Sequence, residues 1–289
     1  MSHAAQRTAF VFAGGGSLGA VQVGMLHELM HAGVSADLVL GSSVGAMNAA
    51  YFAGSPHVAG VSKLEEVWRR LRRRDVFPVT FRSVLGFMGG ADNLIDPSNL
   101  RKLIKRNIPF ANLEDAPIPV HVVATNLGGV AICLSSGPAV EALLASAAIP
   151  AAFPSVRIGE HYLIDGGVGC NTPILNAADL GATRIIVLLI VLPTGFACAL
   201  HEPPKGAITR ALHAITLLIA HQMVRDLREL GGKVDVFTVP NLCPLNVSPY
   251  DFSRADQLIE QAAEHTREWI EGGGLSRPEI PNSLLPHTH

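Results

Sequence analysis

Two strand–turn–helix units at the beginning of the chain constrain its fold more than any other feature. Residues 8–13 (TAFVFA) lead through GGGSLG into a helical pattern over 18–33, and residues 37–41 (DLVLG) lead through GSSVG into one over 43–54. Apolar runs of this length are typical of strands buried between helices. Because parallel strands need a crossover connection, this order predicts an α/β sheet.

The alternation continues along the chain. Further strands are predicted at 119–125, 130–134, 161–164, 184–192 and 233–239, and further helices near 61–74, 97–107, 138–148, 172–181, 206–230 and 253–271. In the helix at 206–230 an apolar stripe predicts a core-facing side, formed by Leu212, Ile215, Ile219, Met223, Leu227 and Leu230. We therefore predict a three-layer α/β/α fold with a mostly parallel central sheet.

No repeat or low-complexity linker divides the 289 residues, so we expect a single domain. Its motif-bearing core would span about 8–190, with a C-terminal helical part over about 200–275 and a peripheral tail at 276–289.

Composition limits the partners. The formal net charge is −2, which gives no positive excess to attract nucleic acid. The four cysteines are scattered and no metal-binding motif occurs, so we expect no metal and no cofactor. The longest apolar stretch, 185–200, is interrupted by Pro193 and is shorter than the ~20 residues that span a bilayer. Without a signal-peptide pattern, we expect a cytoplasmic protein.

The first glycine turn fits two functions. Gly14, Gly16 and Gly19 form a G-x-G-x-x-G between a strand and a helix, which is typical of dinucleotide binding. That function needs an acidic residue at the end of the second strand, whereas Asp37 lies at its beginning. The same turn could present backbone N–H groups to a developing oxyanion.

The second turn, GSSVG, is a G-x-S-x-G centred on Ser43. Between a strand and a helix this pattern is typical of a nucleophilic serine on a tight turn. Gly41 and Gly45 would let neighbouring backbone approach without a Cβ clash, and the N-terminus of the helix favours developing negative charge. The alternative is that Ser43 caps the helix in an ordinary turn.

A nucleophilic serine needs a base, and the chain offers two kinds. The candidates for a Ser–His–Asp triad are His201, His213, His221 and His265, none of which lies in a distinctive strand-to-loop motif. Asp165 ends a predicted strand, directly before Gly166 and Gly167. Its carboxylate could accept the proton of Ser43 directly if burial raises its pKa. The alternative is that Asp165 only forms a turn.

Four segments, in this order, resemble the patatin-like phospholipase family: GGGSLG at 14–19, GSSVG at 41–45, ASAAIPAAFPSV at 145–156 and DGG at 165–167. The similarity spans residues 8 to about 190. The resemblance implies a patatin-like fold and a lipolytic serine acyl-ester hydrolase of phospholipase A, lysophospholipase or carboxylesterase type. It also implies a dyad in which Ser43 forms an acyl-enzyme, while Asp165 accepts its proton and then activates water.

The resemblance further implies an oxyanion hole in the loop of Gly14, Gly15 and Gly16, with Gly15 and Gly16 as the favoured donors. The remaining motif glycines are Gly19, Gly41, Gly45, Gly166 and Gly167. One position departs from the family, whose members often carry Arg or Lys where this chain has Leu18; this favours a neutral acyl ester. The alternatives are an α/β-hydrolase-like esterase with a Ser–His–Asp triad and a non-catalytic lipid- or nucleotide-binding protein.

Two segments suggest contacts outside the chemistry. The segment at 63–75 (KLEEVWRRLRRRD) pairs glutamates with arginines at i,i+4, which favours a solvated helix face. The alternative is peripheral contact with anionic lipid headgroups, with Trp68 as an interfacial anchor. The apolar, glycine-rich segment at 81–96 is either a cap over the acyl site or a packed connection.

Overall fold

An eight-stranded sheet forms the centre of the molecule in a computed structural model that describes residues 6–78, 95–190, 206–242, 245 and 247–278. The strands are β1 (Thr8–Phe12), β2 (Leu38–Ser42), β3 (Val120–Asn126), β4 (Ala131–Leu134), β5 (Val156–Ile158), β6 (His161–Asp165), β7 (Arg184–Leu188) and β8 (Asp235–Val239). Their order is β5-β6-β3-β2-β1-β7-β8, and β4 also pairs with β3.

The middle of the sheet is parallel and one edge is antiparallel. β1 lies parallel to β2 and β7, and the pairs β2–β3 and β7–β8 are parallel as well. β4 and β6 both run antiparallel to β3, and β5 runs antiparallel to β6. β3 lies between β2 and β6, and the last residues of both strands pair with adjacent residues of β3: Ser42 with Val123 and Asp165 with Ala124. The ends of β2 and β6 therefore lie close together.

Helices cover both faces of the sheet. They are α1 (Gly19–His31), α2 (Val44–Gly54), α3 (Val58–Arg70), α4 (Arg73–Val76), α5 (Ser98–Asn107), α6 (Ala139–Ser146), α7 (Gly166–Gly169), α8 (Ile174–Asp179), α9 (Ala207–Leu230) and α10 (Ala255–Glu271). Alternate side chains of β1 enter different cores, Phe10 and Phe12 on one face and Ala9 and Val11 on the other. The predicted three-layer α/β/α architecture is confirmed.

The C-terminal helix packs tightly on the first one. A Cβ added at Gly24 of α1 would lie 2.2 Å from the carbonyl oxygen of Ile259 in α10, so the close approach depends on glycine. Leu258 and Ile259 belong to the same core as Leu26. This packing supports the prediction that the C-terminal helical part belongs to one domain with the motif-bearing core.

Several sequence expectations differ from the structure. The strand expected over 184–192 ends at Leu188, and the short strand β5 was not expected. Among the described side chains of the stripe on α9, Met223 and Leu230 are buried, whereas Ile215 is 49% exposed. Among the described residues, no helix is both long and apolar enough to cross a bilayer.

Candidate active site

Ser43 occupies a strained position between β2 and α2. Its φ of 54° lies in a region that residues other than glycine rarely adopt. Its side chain makes no capping hydrogen bond to α2, so the alternative of an ordinary helix cap is wrong. The turn instead presents the hydroxyl to another part of the chain.

The glycines around Ser43 allow this turn to pack. A Cβ at Gly45 would lie 2.3 Å from the carbonyl oxygen of Phe12, and one at Gly41 would lie 2.4 Å from the carbonyl oxygen of Gly45. Both distances are far shorter than a van der Waals contact. The expected role of these two glycines, close approach of neighbouring backbone, is therefore confirmed.

Asp165 meets Ser43 at the end of β6. The Oγ of Ser43 donates a 2.7 Å hydrogen bond to Oδ2 of Asp165, and the N–H of Gly167 donates a 2.8 Å bond to Oδ1. Thr125 of β3 fixes the backbone by donating from Oγ1 to the carbonyl oxygen of Asp165 at 2.8 Å. Both carboxylate oxygens of Asp165 are therefore oriented.

Burial controls the charge of Asp165. The residue is only 7% exposed. Desolvation raises the pKa of its carboxyl to about 6, although the hydrogen bonds from Ser43 and Gly167 act in the opposite direction. A carboxyl with this pKa is mostly ionised at pH 7 and can still hold a proton briefly.

A second serine holds the turn in place. The backbone N–H of Ser43 donates to Oγ of Ser146 at 2.9 Å, and the Ser146 hydroxyl donates to the carbonyl oxygen of Val123 at 2.5 Å. Sequence reasoning missed this role of Ser146. The available signal was a single hydroxyl on the predicted helix 138–148, whose only other polar side chain is Glu141.

The glycine-rich loop provides two candidate oxyanion donors instead of three. The N–H of Gly14 donates to the carbonyl oxygen of Asn171 at 3.1 Å, so the expectation that Gly14 serves an oxyanion is wrong. The N–H groups of Gly15 and Gly16 donate to no acceptor among the described residues. Gly16 lies beside Ser43 at the same cavity.

A largely apolar cavity begins at Ser43 and Gly16 and encloses about 800 Å³ of empty space, counting its open mouth. We call it the inner cavity; among the described residues its walls come mainly from α2, α3 and α5. Leu18 is fully buried in the core and is not among the lining residues, so the position that departs from the family brings no side chain to the cavity. Its apolar lining suits an acyl chain.

Trp68 lines the inner cavity and does not reach the surface. It is 4% exposed, and its Nε1 donates to Oδ1 of Asn48 at 2.9 Å. The interpretation of Trp68 as an interfacial anchor is wrong, because this buried hydrogen bond and the surrounding core hold the indole inside.

The expected i,i+4 pairs do form, with Arg69 2.7 Å from Glu65 and Arg70 3.2 Å from Glu66. The proposed cap at 81–96 lies almost entirely outside the described residues.

The histidine candidates do not join the site in the described part of the chain. His221 and His265 are exposed, and no described histidine bonds to Ser43 or Asp165. His201 and the side chain of His213 lie outside the described residues.

The dinucleotide-binding alternative gains no support from Asp37, the acidic residue nearest to the position that would bind a ribose. Its carboxylate accepts the N–H of Thr8 at 2.7 Å. Among the described residues, no cluster of three or more His, Cys, Asp or Glu could hold a metal ion.

Together, fold and site define a class of three-layer α/β proteins in which a strained serine faces a buried carboxylate beside an apolar cavity. Comparison with known proteins identifies the family: the model for the patatin-like phospholipase family matches residues 10–178. The chain belongs to this family of lipid hydrolases, and the resemblance found in the sequence is confirmed.

Relatives of known sequence are distant and longer. The chain is 27% identical over 186 residues to human patatin-like phospholipase domain-containing protein 6, covering 62% of this chain and 13% of that protein. It is 25% identical over 183 residues to the neuropathy target esterase sws of Drosophila melanogaster (62% and 12%). It is 26% identical over 186 residues to an uncharacterized NTE family protein of Mycobacterium tuberculosis (63% and 48%). The match thus spans less than half of each relative.

Among solved structures, VipD from Legionella pneumophila aligns with 92% of this chain and 67% of its own chain, at a TM-score of 0.46 and 13% identity.

Proposed function

We propose that this chain is a serine acyl-ester hydrolase in which Ser43 is the nucleophile and Asp165 is the base. The observation that carries the proposal is the 2.7 Å hydrogen bond from Ser43 Oγ to Asp165 Oδ2, formed where Ser43 lines an apolar cavity. A nucleophile and a base within hydrogen-bond distance are the minimum that acyl transfer requires.

The first half of the reaction forms an acyl-enzyme. Oδ2 of Asp165 accepts the Ser43 proton while Oγ attacks the ester carbonyl carbon. The N–H groups of Gly15 and Gly16, together with the N-terminus of α2, stabilise the negative charge on the carbonyl oxygen. Asp165 then donates the proton to the departing alcohol.

Deacylation uses the same groups in reverse order. Asp165 takes a proton from water, and the resulting hydroxide attacks the acyl carbon, after which Ser43 recovers its proton and the fatty acid leaves. The Gly167 N–H holds Oδ1 throughout, so Oδ2 stays directed at the reacting oxygen.

Substrate class follows from the lining of the inner cavity. Apolar side chains there favour the acyl part of a lipid, and Leu18 supplies no positive charge beside the glycine-rich loop. We therefore favour neutral acyl esters, such as acylglycerols or simple carboxylic esters, over phospholipids. A panel of p-nitrophenyl esters, acylglycerols and phospholipids, assayed side by side, separates these substrates.

The decisive experiment combines labelling and substitution. A fluorophosphonate probe should label wild-type protein but not Ser43→Ala, and both Ser43→Ala and Asp165→Asn should lose at least ~10³-fold in kcat/KM. Ser62→Ala, an exposed serine on α3, serves as the matched control and should keep full activity. Retained turnover after either site substitution would refute the dyad. Loss of turnover in His221→Ala or His265→Ala would instead favour a triad.

Peripheral membrane contact stays a prediction. An outer cavity on the surface is lined by four cations, Lys63, Arg70, Lys102 and Arg106, and by two acids, Glu66 and Asp75. This excess of positive charge would face anionic headgroups, each cation near such a surface contributing ~1 kcal/mol at most. Co-sedimentation with vesicles that does not depend on anionic lipid would remove the prediction.

A further inference from the structure

The inner cavity is a channel between helix faces. Its α2 wall consists of Val44, Met47, Asn48 and Tyr51, which share one side of that helix. From α3 and the residue that follows it the cavity receives Leu64, Val67, Trp68 and Leu71, and from α5 Leu100, Leu103, Ile104 and Asn107. The channel therefore follows α2 away from Ser43.

A wall closes the channel at the far end of α2. Five side chains line both the inner cavity and the outer cavity: Tyr51, Val67, Leu71, Leu103 and Asn107. The other residues of the inner cavity are mainly apolar, whereas those of the outer cavity are polar or charged and mostly exposed. Tyr51 belongs to the linings of both cavities, and burial, together with the negative charge of Glu66, raises the pKa of its hydroxyl.

The length of the channel follows from helix geometry. Tyr51 lies eight residues after Ser43, which corresponds to about 12 Å along α2 at a rise of 1.5 Å per residue. An extended hydrocarbon advances ~1.25 Å per carbon, given C–C bonds of about 1.5 Å. The space between the nucleophile and the wall thus accommodates about eight to ten carbons.

We propose that Tyr51 and Leu103 form the end wall of an acyl channel and set a preference for medium-length acyl chains. This inference rests on the proposed function, since it takes Ser43 as the point of attachment. Each methylene buried in the channel should raise kcat/KM about fourfold. Beyond the wall a longer chain must either displace these side chains or enter a charged, hydrated cavity, so further methylenes should lower kcat/KM.

The test is the chain-length profile of kcat/KM with p-nitrophenyl esters from four to sixteen carbons, assayed below their aggregation limits. Wild type should rise to a maximum near eight to ten carbons and fall at least tenfold by sixteen. Tyr51→Ala should open the wall and move the maximum to longer chains. Met47→Phe, which fills the channel, should move it to shorter ones.

Controls keep the outcome interpretable. Tyr162→Ala makes the same chemical change at an exposed site on β6 and should leave the profile unchanged. Thermal unfolding of each variant establishes that it is folded. An unchanged maximum in both Tyr51→Ala and Met47→Phe, or a flat wild-type profile, would overturn the inference. If Ser43→Ala still abolishes hydrolysis in that case, the proposed function stands and only the channel assignment fails.

Discussion

The hydroxyl of Ser146 connects the turn of Ser43 to the sheet. It accepts the N–H of Ser43 at 2.9 Å and donates to the carbonyl oxygen of Val123 at 2.5 Å. A non-glycine residue at a φ of 54° stores roughly 1–3 kcal/mol of strain, which the surrounding structure must offset. Ser146 is therefore a positioning residue for the nucleophile, since it holds the backbone of Ser43, is fully buried and does not line the inner cavity.

Replacing Ser146 with alanine should loosen this turn. We expect a loss of about 1–3 kcal/mol in unfolding free energy, because a buried N–H loses its acceptor. We also expect kcat to fall about tenfold with little change in KM, since the nucleophile would be misplaced while the apolar cavity stays intact. Denaturant unfolding and steady-state kinetics measure the two effects. Unchanged kcat would show that the turn holds without Ser146, and Ser62→Ala provides the baseline.

The pH dependence of activity should report the titration of Asp165. Since only the ionised carboxylate can accept a proton, kcat/KM for a water-soluble ester should fall tenfold per pH unit below about 6 and level off above about 7. Initial rates from pH 4 to 9 measure this profile. A midpoint near 4, the usual value for an aspartate, would mean that the burial of Asp165 does not persist in solution.

The same carboxylate should destabilise the fold at neutral pH. Its folded pKa of about 6 exceeds the ordinary aspartate value of 3.8, so the folded state binds more protons between these values and stability falls as pH rises through them. The full loss of folding stability is reached above pH 6. It amounts to up to about 3 kcal/mol, since each unit of pKa difference corresponds to about 1.36 kcal/mol.

Asp165→Asn should therefore be inactive but more stable than wild type at pH 7.5, with the difference shrinking towards pH 4. Chemical denaturation at both pH values measures it. Equal stabilities at pH 7.5 would contradict the predicted cost of the buried charge.

The glycine-rich loop depends on the C-terminal part of the chain. The N–H of Ser17 donates to the carbonyl oxygen of Pro249 at 2.8 Å, and its Oγ donates to that of Ser248 at 3.0 Å. A Cβ at Gly16 would lie 2.5 Å from the Pro249 carbonyl oxygen, and the φ of Gly16 is 61°. Any side chain at Gly16 must displace this contact.

Gly16→Ala should consequently lower kcat by about 10²-fold, a loss typical of one missing oxyanion donor. Gly33→Ala is the matched control, because Gly33 has a φ of 72° but open space around it, far from the loop in sequence. It should cost stability and leave kcat unchanged. Steady-state kinetics give kcat for both variants. Equal kcat values for Gly16→Ala and Gly33→Ala would exclude the loop as the oxyanion site.

Much of this protein could be predicted from sequence because the relevant signals are local. Apolar periodicity within each segment determines whether a strand or a helix forms, and it placed most elements within a few residues of their observed bounds. The strained turn at Ser43 was also predictable, because Gly41 and Gly45 flank it and a strand and a helix enclose it.

What only the tertiary structure decided were contacts between distant segments. The sequence motifs named Ser43 and Asp165 as partners, but only the fold shows how residues 122 positions apart meet: antiparallel pairing of β6 with β3 places Asp165 opposite Ala124, beside the end of β2. Long-range packing likewise engages the Gly14 N–H with Asn171 and buries Trp68 against Asn48. Contacts of this kind depend on which segments pack against each other once the sheet has formed. The pattern of residues within one segment does not contain that information.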